Sequence, residues 1–225
     1  MRRLFTFFRS SIGMKVVMAV TGLILVLFVI GHMVGNLKVF QGPEKFDAYA
    51  EFLREVGYPL VGHGQLLWVV RTVLLISVIV HIAAAVQLTR MGVGARPVRY
   101  RRWTPDASTY ASRTMRWGGV IIFAFVVYHL LHLTFGTAHP DFVAGAAYHN
   151  VVVAFRVWPV TAAYVVATVA LGLHLYHGAW SVFQSLGGNH PDYNRYRRPL
   201  AGAVAVAVTL GFMAVPIAVV TGLVR

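Results

Sequence analysis

Five apolar runs, Val16–Val34, Leu66–Leu88, Trp117–Phe135, Val157–Phe183 and Leu200–Val224, decide most of what this chain can become. Each is close to or above the ~20 residues that carry a helix across a ~30 Å hydrocarbon core. Lipid offers no partner to backbone N–H and C=O groups, so only helices and closed barrels span it. Barrel strands are short and alternate apolar with polar residues, whereas these runs stay apolar over several helical turns. The sequence therefore predicts an all-α integral membrane protein, a single membrane domain over residues 1–225 built as a five-transmembrane-helix bundle. The helices, A to E, are expected over about 14–36, 65–90, 114–136, 157–185 and 199–224. A hydrophobic share of 58% against 12% charged residues, with a mean hydropathy of +0.67, lies outside the soluble globular range. Met1–Lys15 is basic but leads into a full-length span with no small-residue cleavage pattern, so helix A is expected to be retained.

The net charge of +13 sets the expected orientation. Arg2, Arg3, Arg9 and Lys15 precede helix A. Arg90, Arg96, Arg99, Arg101, Arg102, Arg113 and Arg116 lie between B and C, and Arg195, Arg197 and Arg198 between D and E. All three segments belong on the cytoplasmic side. The N-terminus is then cytoplasmic, and the A–B loop, the C–D loop and the C-terminus face outward. Topology and anionic lipid account for the arginines, with a basic platform for a cytoplasmic partner as the other reading. No groove-reading motif accompanies them, so nucleic-acid binding is not expected. The chain has no cysteine, which excludes disulfides, thiolate haem ligation and a cysteine-ligated iron–sulfur cluster within it.

Four of the predicted spans carry histidine: His32, His81, the pair His129 and His132, and the pair His174 and His177. An ionisable ring in hydrocarbon is costly unless it is partnered, which makes it a functional-site candidate. At 1.5 Å per residue, His32 lies ~27 Å and His129 ~22 Å above the cytoplasmic boundary, while His81 and His174 lie roughly 5–8 Å above it. Depth thus pairs His32 with His129 outside and His81 with His174 inside. It does not choose between His129 and His132, or between His174 and His177, which are one helical turn apart. A single such histidine is well explained as a hydrogen-bonding contact to a neighbouring helix. Two depth-matched pairs instead suggest two bis-histidine metal centres, and an iron porphyrin takes one imidazole on each face. Gly31, Gly35, Gly118, Gly119, Gly172 and Gly178 are placed to let helices approach a macrocycle, although membrane glycines commonly serve packing alone.

The runs SSIGMKVVMAVTG, HMVGNLKVFQGPEKFDAYAEFL, LLWVVR, ARPVRY, SRTM, HLLHLTFG and LHLYHGAWSVFQSLG, from about Ser10 to Gly188, resemble the di-haem cytochrome b558 membrane anchor of succinate dehydrogenases and fumarate reductases. The resemblance implies two stacked b haems in a five-helix anchor. Their axial ligands would be His32 of HMVGN, His81 of LLISVIVH, His129 of HLLHL and His174 of HLYHG. His132 and His177 become candidates either for groups beside the haem ligands or for contacts between helices. It further implies a flavoprotein and an iron–sulfur subunit docked on the cytoplasmic face, and exchange of electrons with a quinone, menaquinone for this di-haem type. The setting would be a respiratory complex II of the tricarboxylic acid cycle in a bacterial inner membrane, with room for a higher oligomer of the complex. The chain has neither a flavin fold nor cysteine clusters, so succinate chemistry belongs to the partner subunits.

Among the remaining polar residues, Arg71 within LLWVVRTVLL is expected to meet a haem propionate, with snorkelling as its plain alternative. Ser112, Arg113 and Arg116 at the inner start of helix C are candidates to neutralise propionates at the inner site. Glu44, Asp47, Glu51 and Glu55 alternate with Phe46, Tyr49, Ala50 and Leu53, the pattern of a short interfacial helix over the outer haem. One of these carboxylates is the candidate for proton exchange with quinone. His63, His139, His149 and His190 are expected to be solvated, and the tryptophans and tyrosines near span ends to form interfacial belts. Two other functions fit parts of the pattern. One is the cytochrome b anchor of another quinone-linked dehydrogenase, such as a formate dehydrogenase or hydrogenase; the other is a histidine-lined transporter for divalent metal.

Overall fold

The computed structural model describes residues 2–95, 110–139, 141–188 and 190–225, with the side chains of residues 2–5 and 110–113 outside the description. Among the described residues the chain is helical and contains no strand. A short α1 (Arg2–Arg9) leads into α2 (Ser11–Leu37), whose first turn is capped by Ser10, its hydroxyl accepting the Gly13 N–H. The chain leaves α2 through a 3₁₀ turn, Lys38–Gln41. It reverses at Gly42, whose φ of +91° favours glycine, and restarts at Pro43, the first residue of α3 (Pro43–Glu55). Then follow α4 (Gln65–Gly94), α5 (Tyr110–His129), α6 (Ala147–Arg156), α7 (Trp158–Ser185) and α8 (Pro191–Val220). Among the described residues, five helical segments are long and apolar enough to cross a membrane: Ser11–Gln41, Gln65–Gly94, Thr114–Thr134, Trp158–Ser185 and Pro191–Val220.

Three local features depart from the expectation. The last predicted helix was bounded by Pro199, yet α8 begins at Pro191 and passes through both Pro199 and Pro216. Pro191 suits the first helical turn, and the His190 ring accepts the Asp192 N–H at 3.3 Å as a cap. The loop between the third and fourth spans contains a helix of its own, α6, which its low charge did not announce. Finally, α5 does not stop at His129 but widens into a π turn over Leu130–Thr134, closed by the Phe135 N–H on the Leu130 carbonyl at 2.8 Å. Such turns insert one residue into the helical register and recur at functional sites.

Helix α2 packs along α4, α7 and α8, and α7 also packs along α5 and α8. The contact order α4–α2–α7–α5 describes a four-helix bundle that is open between α4 and α5, which are not in extensive contact, with α8 laid against α2 and α7. The diagonals of this bundle are α2 with α5 and α4 with α7, neither of which is in extensive contact. Gly172 serves the α7–α8 seam, since a Cβ there would strike the Thr209 hydroxyl, and Gly35 admits the Tyr49 hydroxyl, 2.8 Å from where its Cβ would lie. Both glycines are thus occupied by helix packing.

One end of the bundle is closed by a mixed core of Val39, Phe46, Val151, Val152, Phe155, Tyr164, Val215 and Val219, drawn from the 3₁₀ turn, α3, α6, α7 and α8. A polar clamp fixes α3 to α6 there: the Asp47 carboxylate accepts the N–H of Tyr148, in the first turn of α6, at 2.8 Å, and the Tyr148 hydroxyl donates to the Arg225 carbonyl. An anionic acceptor at a helix N-terminus satisfies an otherwise unpaired donor and meets the positive end of the helix dipole. Asp47→Ala should cost about 1 kcal/mol, the usual worth of such a cap. Thermal unfolding of the detergent-solubilised protein is expected to show this as a lower midpoint, with Asp47→Asn losing less.

Candidate functional site

Histidines meet across both diagonals of the bundle. His32 on α2 and His129 on α5 bring their ring centres to 5.9 Å, with planes at 75°. His81 on α4 and His174 on α7 stand at 6.3 Å, with planes at 59°. The first pair lies toward the end that carries α3 and α6, and the second toward the opposite end. Phe28 stacks on His32 at 5.3 Å, Phe125 on His129 at 5.9 Å, and Phe212 leans on His32 at 5.8 Å, giving the first pair an aromatic setting.

Hydroxyl groups hold one ring of each pair. The Thr21 hydroxyl donates to the Val17 carbonyl at 2.8 Å, so at 3.1 Å from His81 Nδ1 it stands as the acceptor of that ring's N–H. Nε2 of His81 is then the atom with a free lone pair. A hydrogen bond at one ring nitrogen that fixes the other for coordination is the usual companion of a metal-binding histidine. Gly22, one residue on, gives this ring its room: a Cβ there would come within 3.3 Å of His81 Cε1. Gly119 faces His174 Cε1 in the same way at 3.9 Å. In the first pair, the Tyr164 hydroxyl lies 3.2 Å from His129 Nδ1 and 3.1 Å from His132 Nδ1. The buried Nδ1 atoms of His174 and His177 have no hydrogen-bond partner among the described residues.

The histidines outside the two pairs divide by environment. His132, on the π turn, is 2% exposed and stacks between Tyr128, at 5.1 Å, and His139, at 4.9 Å. His139 itself is only 5% exposed, which corrects the expectation that it is solvated. The loop folds inward because His139 Nε2–H donates to the Asn150 carbonyl at 3.0 Å while its Nδ1 accepts the Asp141 N–H at 3.2 Å. Asn150 ties down the same loop through both atoms of its amide, to the Val143 N–H and carbonyl. His63, His149 and His190 are exposed, and His177 packs edge-on to Trp180 at 5.8 Å.

The charged candidates lie further out. Arg71 is exposed, its guanidinium over the Trp68 ring at 5.0 Å, an arrangement that suits an interfacial cation. Arg116 is exposed, the side chains of Ser112 and Arg113 fall outside the described residues, and so do Arg96, Arg99, Arg101 and Arg102. Among the carboxylates, Glu44 and Glu55 are exposed, Glu51 pairs with Arg54 at 2.6 Å and lies 3.9 Å from His63, and Asp47 is the α6 cap already described.

Sequence reasoning overlooked Tyr164, Thr21 and Gly22. No pattern marks them, because what qualifies them is a position opposite a histidine on another helix. For Tyr164 the assignment of tyrosines to interfacial belts hid a residue that is 7% exposed and lodged among Phe125, Phe155 and Tyr128.

The two pairs fit a group that takes one imidazole on each of two opposite faces. Metal–nitrogen bonds of roughly 2.0–2.1 Å, with half a ring beyond each nitrogen, put two such ring centres about 6 Å apart. Among the described residues no three His, Asp or Glu side chains converge on one point. Each pair therefore supplies two donors, which suits a metal whose remaining positions are filled by its own macrocycle.

Comparison with curated proteins and with solved structures returned no match. The family model for the succinate dehydrogenase/fumarate reductase transmembrane subunit matches residues 95–214. That stretch spans α5, α6, α7 and most of α8, and includes His129 and His174; their partners His32 and His81 precede it and are joined to it by the ring contacts. With more than half of its length matched and five helices able to span a membrane, the chain belongs to the succinate dehydrogenase/fumarate reductase transmembrane subunit family, as a multi-pass membrane anchor.

Proposed function

We propose that this anchor is the cytochrome b subunit of a succinate:quinone oxidoreductase, binding two b haems, one between His32 and His129 and one between His81 and His174. The observation that carries the reading is the opposition of imidazoles across both diagonals, at 5.9 and 6.3 Å, in a bundle whose diagonal helices are otherwise held apart. A haem held by these histidines would supply one-electron chemistry, with a potential tuned by the imidazoles and their hydrogen bonds. The protein's part is to fix the rings, exclude water and keep the two centres at different depths. Thr21 fixes His81, Tyr164 sits against His129, and Phe28, Phe125 and Phe212 dry the first pair.

The partners in this reading are a flavoprotein and an iron–sulfur subunit against the basic end of the bundle, which is the cytoplasmic end by the positive-inside rule. Membrane quinone, of the menaquinone type, exchanges electrons with the anchor in a bacterial inner membrane. Proton exchange with quinone falls to a carboxylate of α3. Glu44 and Glu55, exposed on that helix, are better placed than Asp47, whose charge is engaged at α6, or Glu51, which is paired with Arg54.

Substitution of single histidines tests the pairing. His32→Ala and His129→Ala should each remove the same haem from the purified complex, and His81→Ala and His174→Ala the other, read by pyridine haemochrome content and by the surviving low-spin signal. Loss of the same haem from His32→Ala and His81→Ala would refute it. Gly22→Leu drives a side chain onto His81 and is expected to lower occupancy of the His81–His174 centre at least several-fold, leaving the other centre filled.

A further inference from the structure

The Tyr164 hydroxyl lies within hydrogen-bonding distance of two imidazole nitrogens, Nδ1 of His129 at 3.2 Å and Nδ1 of His132 at 3.1 Å. A phenol has one proton, so it donates to one of these nitrogens and accepts from the other. A neutral His129 that coordinates through Nε2 carries its proton on Nδ1 and must donate to the Tyr164 oxygen. The phenolic proton then goes to His132 Nδ1, which is thereby an acceptor and has its proton on Nε2. We propose that Tyr164 is the positioning residue of the His32–His129 centre and that His132 is not a ligand but the acceptor that polarises it. The proposal rests on the haem reading given above.

The surroundings leave these groups little freedom to act otherwise. The Tyr164 ring is held edge-on by Phe125 and by Phe155, each at 4.8 Å, with planes at 88° and 84°. The His132 ring is clamped face-to-face between Tyr128 and His139, with interplanar angles of 14° and 23°. His139 is fixed in turn, Nε2–H to the Asn150 carbonyl and Nδ1 from the Asp141 N–H. The π turn after His129 sets the register at which His132 reaches the same hydroxyl as its neighbour. A phenol that donates onward is a better acceptor than one that does not, because hydrogen bonds in series polarise each other. The Nδ1–H of His129 is thus drawn toward Tyr164, which makes its Nε2 a stronger donor to iron and favours the oxidised state. At the other centre the corresponding group is a threonine whose own proton goes to a main-chain carbonyl. The two centres consequently differ in the hydrogen bond behind the ligand, although their ring spacings are alike.

Redox titration of the purified complex, read separately for the two haems, tests this, with the haem of the His32–His129 pair assigned by its loss in His32→Ala. Tyr164→Phe keeps the ring packing and removes only the hydroxyl. It is expected to raise the midpoint potential of that haem and shift its low-spin electron paramagnetic resonance signal, with both haems retained and the other potential unchanged. His132→Leu should shift the same potential in the same direction by less, and His132→Asn, which offers an amide oxygen where Nδ1 was, should restore it. Unmoved potentials in Tyr164→Phe would overturn the proposal while leaving the haem reading intact, and equal shifts of both haems would overturn it as a general loosening. Loss of a haem in His132→Leu would overturn it by making His132 a ligand. Absence of haem from the unmodified complex would overturn the reading beneath it and the proposal together.

Discussion

Opposition of two imidazoles across each diagonal of a four-helix bundle is the constraint from which the rest of this structure follows. Facing rings 5.9 and 6.3 Å apart require that α2 stand off from α5 and α4 from α7, so the helices touch along the sides α4–α2, α2–α7 and α7–α5. Close packing is delegated to α8, which lies along α2 and α7 and meets them through small residues such as Gly172, Ala201 and Ala205. In lipid, where apolar burial gives little drive for association, such small-residue seams are the way helices hold together. At one end of the bundle α3, α6 and Val224 pack into a core around Phe46, Phe155 and Tyr164, and Tyr164 in turn lies against His129.

The spans were legible in the sequence because bilayer thickness imposes a length that few other folds demand. A constant rise per residue converts position into depth once the connections are up and down, and the rings it sets at similar depth, His32 with His129 and His81 with His174, are neighbours in the structure. What the sequence did not show has a common cause. Helix α6, the inward fold of the His139 loop and the early start of α8 at Pro191 depend on local caps and tertiary contacts, which charge and hydropathy do not encode. Thr21 and Tyr164 were invisible for the same reason: each acquires its role only opposite a histidine sixty or thirty-five positions away. Depth could not separate His129 from His132; in the structure His129 faces His32, and His132 faces Tyr164 and His139.

Membership of the succinate dehydrogenase/fumarate reductase transmembrane subunit family is carried by the second half of the chain, while the site is completed by the first half. Each proposed centre joins one histidine from inside the matched stretch to one from outside it. The structure sets α2 and α4, which precede the matched stretch, against it at both histidine pairs. The absence of cysteine throughout the chain excludes thiolate ligation of a metal within it.

The most direct measurement is the haem content of the complex purified from the membrane, by pyridine haemochrome and a dithionite-reduced minus oxidised spectrum. Two b-type haems per chain, both low-spin with bis-imidazole signals, is the result this account expects. A chain that carries no haem, or a single haem with all four histidines intact, would contradict it.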